Sequence, residues 1–336
     1  MHAFVAGLPK VELHVHLEGT LEPEQLFEFA RRNGVTLPYE TPEAVVAAYD
    51  FHDLPSFLTI YYKGMEVLHS EQDFYDLTMA YLEKAAAHNV RYVEPFFDPQ
   101  PHTNRGVAFD TVINGIHRAL QDGASKLGVH SQLILCFLRD LSAESAEAHL
   151  DFALQHKDKI VGIGLDSDEA GNPPRKFAAV FERARREGFK LTMHCDVNQQ
   201  DTHANIRECL DLIKVDRIDH GVNSLEVDDL MNDIRDRGLG LTVCPISNRF
   251  CVQDLTGNQI RQMLEHGMKA TINSDDPAYF RGYMNENFQA LADEHGFTEA
   301  ELGQLSRNAI EVCWAPNSLK QTMTAELDRY LTGATG

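Results

Sequence analysis

The sequence predicts an α/β chain folded as a single (β/α)8 barrel, with extra helices after its first strand and at its C-terminal end. Three observations point there. Short apolar, β-branched runs recur eight times at fairly even spacing. Stretches of helical periodicity lie between them. The length, 336 residues, suits one barrel with insertions. Strand–helix alternation implies parallel strands joined by right-handed crossovers. Length alone leaves two ordinary domains open, and the rhythm of the runs favours one barrel.

The first run is Val11–Leu17. Residues 18–89 then leave room for several helices, the last being Phe74–His88, where Phe74, Leu77, Ala80, Tyr81 and Leu82 form an apolar side. The second, third and fourth runs are Val90–Phe97, Ser131–Leu138 and Ile160–Leu165. Asp168 to Arg175 is short enough to be a loop. Phe177–Glu187 repeats Phe177, Val180, Phe181 and Ala184 at helical intervals. Lys190–Cys195 is the fifth run, and Ile206–Ile213 follows as a short helix. Arg217–Val222 and Gly240–Cys244 are the sixth and seventh, Ile260–Glu265 is helical, and Lys269–Asn273 is the eighth. Beyond Asp276, Asn285–Glu294 and Glu299–Val312 are helical again. These additions decorate one domain, residues 1–331, and Thr332 to Gly336 are expected to be a frayed tail. A doubly wound open sheet is the rival, and it calls for a phosphate-cradling glycine turn after its first strand. Here that place reads Glu18-Gly19-Thr20-Leu21-Glu22, with one glycine and two carboxylates, a poor phosphate site.

Composition excludes several classes. Lys and Arg number 30 against 51 Asp and Glu, a net charge of −21. So acidic a surface repels phosphate backbones and anionic lipid, so neither nucleic acid nor a membrane surface is expected as a partner. No stretch of about 18 apolar residues is present to span a membrane. Met1 to Lys10 lacks the basic-then-apolar pattern of a signal peptide. The six cysteines show no paired short spacing, and a reducing cytoplasm is the expected compartment. No heptad pattern or unpaired strand edge marks an oligomer interface, so oligomeric state stays open.

In a barrel the chemistry sits where strands end. The first run ends in His14-Val15-His16-Leu17-Glu18, and residues two apart in a strand share a side. His14 and His16 can thus project together, as two imidazoles suited to zinc or a similar divalent ion. The fifth run ends at His194, the sixth contains Asp219-His220-Gly221, and the eighth ends in Asn273-Ser274-Asp275-Asp276-Pro277. Each motif alone has an ordinary explanation: a surface His pair, or an Asp-Asp-Pro turn with Asp as a helix cap. Their joint placement at four strand ends favours one metal site, because charged groups rarely enter a core unpaired.

His14-Val15-His16, Asp219-His220-Gly221 and Ser274-Asp275-Asp276 together resemble the adenosine/adenine deaminase family of the amidohydrolase superfamily. The resemblance is collinear from Leu8-Pro9-Lys10 to Asn308. Glu94-Pro95-Phe96-Phe97-Asp98-Pro99, Gly164-Leu165-Asp166-Ser167 and Asp275-Asp276-Pro277-Ala278-Tyr279-Phe280 are more similar to the adenine deaminase branch than to the nucleoside enzymes. The resemblance implies zinc-dependent hydrolytic deamination of a 6-aminopurine, with one Zn2+ per chain held by His14, His16, His194 and Asp275. It implies that His220 orients or deprotonates the attacking water, that Asp276 meets the purine at its imidazole-side nitrogen, and that Ser167 contacts the opposite edge. Binuclear relatives bridge two metals with a modified Lys on the fourth strand. Ile160 to Asp166 contains none, so one metal is expected. At Glu18 the nucleoside enzymes carry an Asp that binds ribose. A longer acid reaches into the sugar's space and favours a free base, so Glu18 is a candidate substrate-binding residue.

One motif departs from the family. It has His-Ala-Gly-Glu after the fifth strand, and that Glu protonates the ring nitrogen beside the attacked carbon. Here the segment is His194-Cys195-Asp196-Val197, and valine cannot transfer a proton. General acid–base help contributes about 10²–10⁴-fold, so a replacement is expected. Asp196 could take the role, which would require a local backbone change because adjacent strand residues face opposite sides. Asp201 or His203 could swing in. The substrate could instead be an N6-substituted adenine, with Val197 and Cys195 lining room for the substituent, or the chain could be a zinc-binding purine sensor with little catalysis. The complete ligand set, His220 and Asp276 favour a working deaminase. Adenosine is the alternative substrate.

The remaining tempting residues have plain readings. Cys195 is expected to face the barrel wall as a small hydrophobe. Cys244 and Cys251 read as core or loop residues. His52, His69, His88, His102, His117, His130, His149 and His156 fall in helical or loop contexts and are expected to be solvated. Phe51, Phe57, Tyr61 and Tyr62 pack as helix, and are candidates for a lid or pocket lining.

Overall fold

A computed structural model describes residues 1–51 and 53–333. His52 and the end of the expected tail, residues 334–336, lie outside the described residues. All eight runs form strands at eight barrel positions. β1 (Lys10–Glu12) is the first. β2 (Val90–Val93) and β3 (Phe96–Phe97) share the second, and β4 (His130–Ser131) and β5 (Leu133–Leu138) the third. β6 (Ile160–Asp166), β7 (Lys190–Cys195), β8 (Arg217–His220), β9 (Gly240–Val243) and β10 (Lys269–Ile272) complete the ring. Every pairing is parallel, in the order β10-β9-β8-β7-β6-β5-β3, with β1-β2-β4 carrying the other end of the wall.

The first run differs from expectation. Its regular strand stops at Glu12, and the segment that bears His14 and His16 continues by single bridges, Val15 to Asp275 and His16 to Phe96. The register has already shifted between Lys10 and Val11. This irregular segment closes the barrel. Leu13 N donates to Asn273 Oδ1 at 2.7 Å, Asp275 N to the His14 carbonyl at 3.0 Å, and His16 N to the Asp275 carbonyl at 3.0 Å. A closed ring rules out the open-sheet rival.

The helices follow the apolar periodicity, with ends set by capping chemistry. Phe74–His88 is expected, and Glu71–Ala87 is found. Ser70 and Asp73 cap it reciprocally, which moves the start back to Glu71. Glu299–Val312 appears with the expected bounds, capped by Thr298 and Glu301. Ile206–Ile213 becomes Thr202–Glu208 followed by a π-helical turn, Cys209–Ile213. The last helix, Asn317–Thr332, takes in Thr332. Between β1 and β2 lie Pro23–Asn33, Pro42–Ala47 and Leu54–Gly64, ahead of Glu71–Ala87. The helix Leu54–Gly64 buries Phe57 and Tyr61 against Tyr279 and Phe280, in an apolar cluster separate from the main core. Among the described residues no helix is long and apolar enough to cross a membrane.

Inside the barrel, toward the strands' N-terminal ends, charge is buried but paired. Arg217 on β8 donates to Glu94, which follows β2, and both side chains are fully buried. Its guanidinium lies 4.2 Å from the Trp314 ring centroid. Glu94 also accepts from Tyr92 Oη at 2.9 Å and from the Trp314 amide.

Candidate active site

The C-terminal strand ends converge. His14, His16, His194 and Asp275 are all buried, and one ligand atom from each lies within 4.8 Å of the others. His14 Nε2 is 3.1 Å from Asp275 Oδ1, and His16 Nε2 is 3.1 Å from His194 Nε2. The ring nitrogens behind them fix which tautomer is present. Thr242 Oγ1 donates its proton to Asp219 Oδ1 at 3.0 Å, so it can only accept from His14 Nδ1, 2.8 Å away. His194 Nδ1 donates to the Leu165 carbonyl at 3.1 Å. Both rings therefore aim bare Nε2 lone pairs into the same space, the arrangement that second-shell donors impose on metal-binding histidines. No protein donor meets His14 Nε2. These residues fit a zinc-like cation: three imidazoles and one carboxylate, buried, with lone pairs converging.

Charge follows the same geometry. Burial alone would raise Asp275, but His14, then His220 and His16, hold it well below the ordinary carboxylate range. Burial pushes His16 down to about 3 and His194 well below its usual value. Asp276 goes the other way: burial, then the neighbouring Asp275, raise it well above the carboxylate range.

The four ligands form one wall of a cavity of about 700 Å³, which His220, Asp276, Asp196, Val197 and Ser167 also line. Phe51, Phe57, Tyr61 and Tyr62 roof it, so the aromatic set of the insertion does line the pocket. Asp196 Oδ1 is 2.7 Å from His220 Nε2. Burial alone would lower His220, but Asp196, by charge and by hydrogen bond, raises it to about 9. No backbone rearrangement is needed for Asp196 to face the site. β7 ends at Cys195, so strand alternation no longer governs the next residues, and Asp196 lies two positions from His194, on its side. Glu169 Oε1 accepts from the Asp196 amide at 2.6 Å, and Arg139 Nη1 donates to the His194 carbonyl at 2.9 Å. Asp201 and His203 stay away from the cavity. Asp201 is the exposed residue before the helix Thr202–Glu208, and His203 pairs with Glu226 at 2.9 Å.

Backbone conformation marks the same places. Ser167, His220 and Asp275 have φ of +73°, +59° and +65°. A left-handed conformation in such residues costs about 1–3 kcal/mol each and persists only where surroundings impose it. All three sit at or just after the ends of β6, β8 and β10.

Three expectations need correcting. Glu18 does not line the cavity. Its Oε1 accepts from the Asp98 amide at 3.2 Å and from His102 Nε2 at 2.9 Å, because the 3-10 turn Glu18–Thr20 turns it into the wall. Burial raises it to about 8. His102 is fully buried, not solvated, since it is the partner Glu18 needs, and His149 is buried between Thr103 and Ser145. Cys195 does behave as a small buried group, 3.7 Å from Cys209 Sγ. Sequence reasoning missed Asp98 and Asp166, two buried carboxyls in the cavity wall. The available signal was the rule already in use, a polar residue ending an apolar run: Asp98 closes Phe96-Phe97-Asp98 and Asp166 closes Gly164-Leu165-Asp166.

The model of the adenosine deaminase family matches residues 9–330. The chain belongs to the adenosine deaminase family. Its members include an adenine deaminase of Vibrio parahaemolyticus that is 48% identical over 333 residues, 98% of each chain. The structure of an adenine deaminase from Arthrobacter aurescens superposes with a TM-score of 0.94 at 43% identity, covering 97% of this chain and 99% of that one. An amidohydrolase from B. ambifaria with bound Zn superposes at 0.89 with 28% identity, covering 99% and 94%. The adenosine deaminase family fold thus confirms the barrel expected from the strand rhythm.

Proposed function

We propose that this chain hydrolytically deaminates a 6-aminopurine free base, adenine or an N6-substituted adenine, releasing hypoxanthine and ammonia or an alkylamine. Four converging metal-binding atoms beside a histidine–aspartate pair, in a roofed cavity, carry this conclusion. The Vibrio and Arthrobacter proteins are named adenine deaminases, which favours the free base over a nucleoside. His14, His16, His194 and Asp275 hold one Zn2+, the ion in the B. ambifaria protein. Zinc supplies a Lewis acid that lowers the pKa of water toward ~7.

The chain's own residues do the rest. His220 takes the proton of the attacking water, and its imidazolium then faces the charge that develops at the attacked carbon. Asp196, hydrogen-bonded to His220, carries a proton to the ring nitrogen beside that carbon and so replaces the glutamate that Val197 displaces. Asp276 Oδ1 is buried with no partner. Burial and Asp275 keep its carboxyl protonated, so its O–H donates to the imidazole-side nitrogen, an acceptor. Tyr62 Oη donates to Ser167 Oγ at 2.7 Å, leaving the serine proton for the opposite edge of the base. Glu18 shapes that end of the cavity from behind, through the Asp98 amide. The unit that carries this activity is the single domain of residues 1–331. The acidic chain and its six free cysteines fit a cytoplasmic enzyme that takes a small uncharged base and no nucleic acid.

The test is a substrate panel with zinc-loaded protein: adenine, adenosine, N6-methyladenine and N6-isopentenyladenine, with one zinc per chain measured in parallel. Turnover of a free base and not of adenosine is expected. Preference for adenosine overturns the free-base assignment. Tight binding without turnover of any member favours a sensor.

A further inference from the structure

Two carboxyl groups in the cavity wall have no part in the chemistry above. Asp98 follows β3 and Asp166 ends β6, and they are 1% and 3% exposed. They face each other at hydrogen-bonding range, an arrangement that needs a proton between them. Apart from that contact, neither oxygen of Asp166 nor Oδ1 of Asp98 meets a donor. His16 Nδ1 is also unpartnered, 3.5 Å from Asp166 Oδ2. No Lys or Arg lines the cavity. A buried acceptor without a donor costs about 1–3 kcal/mol, more when charged. The wall is therefore complementary to a donor that arrives with the ligand.

Its position says which donor. Asp166 adjoins Ser167 in the chain, and both carboxyls lie within electrostatic reach of Asp276. In the proposed pose, Ser167 meets the N3 edge of the purine and Asp276 meets N7. The ring atom between those two contacts, remote from the amine, is N9. The His16 ring separates Asp166 from the metal-binding atoms, which sets the pair one imidazole away from the attacked end. A free base carries N9–H beside the N3 lone pair, a donor next to an acceptor. Two carboxyls sharing one proton offer the matching acceptor and donor. A nucleoside or N9-alkyl purine has no such hydrogen and sets carbon against buried oxygens.

We infer that Asp98 and Asp166 together recognise the N9–H edge and so select free purine bases over N9-substituted ones. This rests on the deaminase reading for the orientation of the base. A site built to bond an N–H rejects an analogue lacking it by about 10⁴–10⁵-fold.

The experiment compares wild type, Asp98→Asn and Asp166→Asn, zinc-loaded and checked for folding by circular dichroism. Adenine and 9-methyladenine are the substrates. Purine and 9-methylpurine, which lack the amine, are titrated by calorimetry. Wild type is expected to favour adenine over 9-methyladenine by about 10⁴-fold in kcat/KM. Each variant is expected to narrow that ratio at least tenfold, mainly through KM for adenine, and to narrow the purine/9-methylpurine affinity ratio likewise, with zinc still at one per chain. Unchanged ratios in both variants overturn the inference. So does a wild type holding two metals that falls to one in either variant, because His16, Asp98 and Asp166 would then be a cation site. If wild type turns over no base yet prefers purine to 9-methylpurine, and the variants lose that preference, the deaminase reading fails while the recognition of N9–H stands.

Discussion

At Gly19 a single hydrogen holds the site together. A Cβ there would lie 2.1 Å from Asp276 Oδ1 and 2.8 Å from Asp276 Cα, so backbone, not only a side chain, would have to move. Gly19→Ala should fold, keep its metal and lose about 10²-fold in kcat, since displacing a positioning group by about 1 Å costs that much. Steady-state kinetics with a parallel metal assay would show it, and an unaltered kcat would mean that Asp276 does not need its place. Asp196 has a different kind of consequence. Its carboxylate sits on His220 and has no other acid in the cavity to share a proton-transfer role with on that side, Asp201 and His203 being elsewhere. Asp196→Asn should lower kcat by about 10²–10⁴-fold with metal content intact. A rate within a few-fold of wild type would assign the proton to another route. Asp196 was legible as a candidate but not as a neighbour of His220, because sequence gives strand alternation and not where a strand stops.

Elements were legible to the degree that one local rule governs them. The eight strand positions followed from β-branched runs bounded by turns, and Glu299–Val312 followed from periodicity plus a capping pair. The irregular segment after Glu12 was not legible, because its bridges are to Asp275 and Phe96, far away in sequence. The same holds for Glu18, whose direction depends on His102, and for Arg217, whose partner Glu94 lies across the barrel interior. That last pair joins β8 to the segment after β2. Arg217→Met leaves a buried carboxylate uncompensated and should cost about 3–5 kcal/mol in chemical denaturation. Adding Glu94→Gln should recover part of the loss, since the stranded charge is then gone. If the single variant unfolds at the wild-type midpoint, the pair does not bind the two positions together.

For the whole molecule, the net charge of −21 first served to exclude polyanions. Part of it now has an address, in Asp98, Asp166, Asp275 and Asp276 around one cavity. A cation held among such groups stabilises the fold that positions them, because unfolded chain offers no comparable site. Chelation should therefore lower the thermal midpoint. It should also speed amide hydrogen exchange at residues 13–16 and 273–276 more than in the helices of the outer ring. Equal exchange in loaded and stripped protein would uncouple the ion from the barrel wall.

The seam between β1 and β10 gives that coupling a wider meaning. The last hydrogen bonds that turn a curled sheet into a ring run through His14, His16 and Asp275, the same residues whose side chains meet at the metal-binding centre. Latch and reaction centre are thus one piece of chain. A molecule that has not acquired its ion is also one whose ring is least firmly fastened, open to proteases where a finished enzyme is not. Metal loading thereby acts as the final inspection in assembly, and catalytic competence and resistance to degradation arrive together.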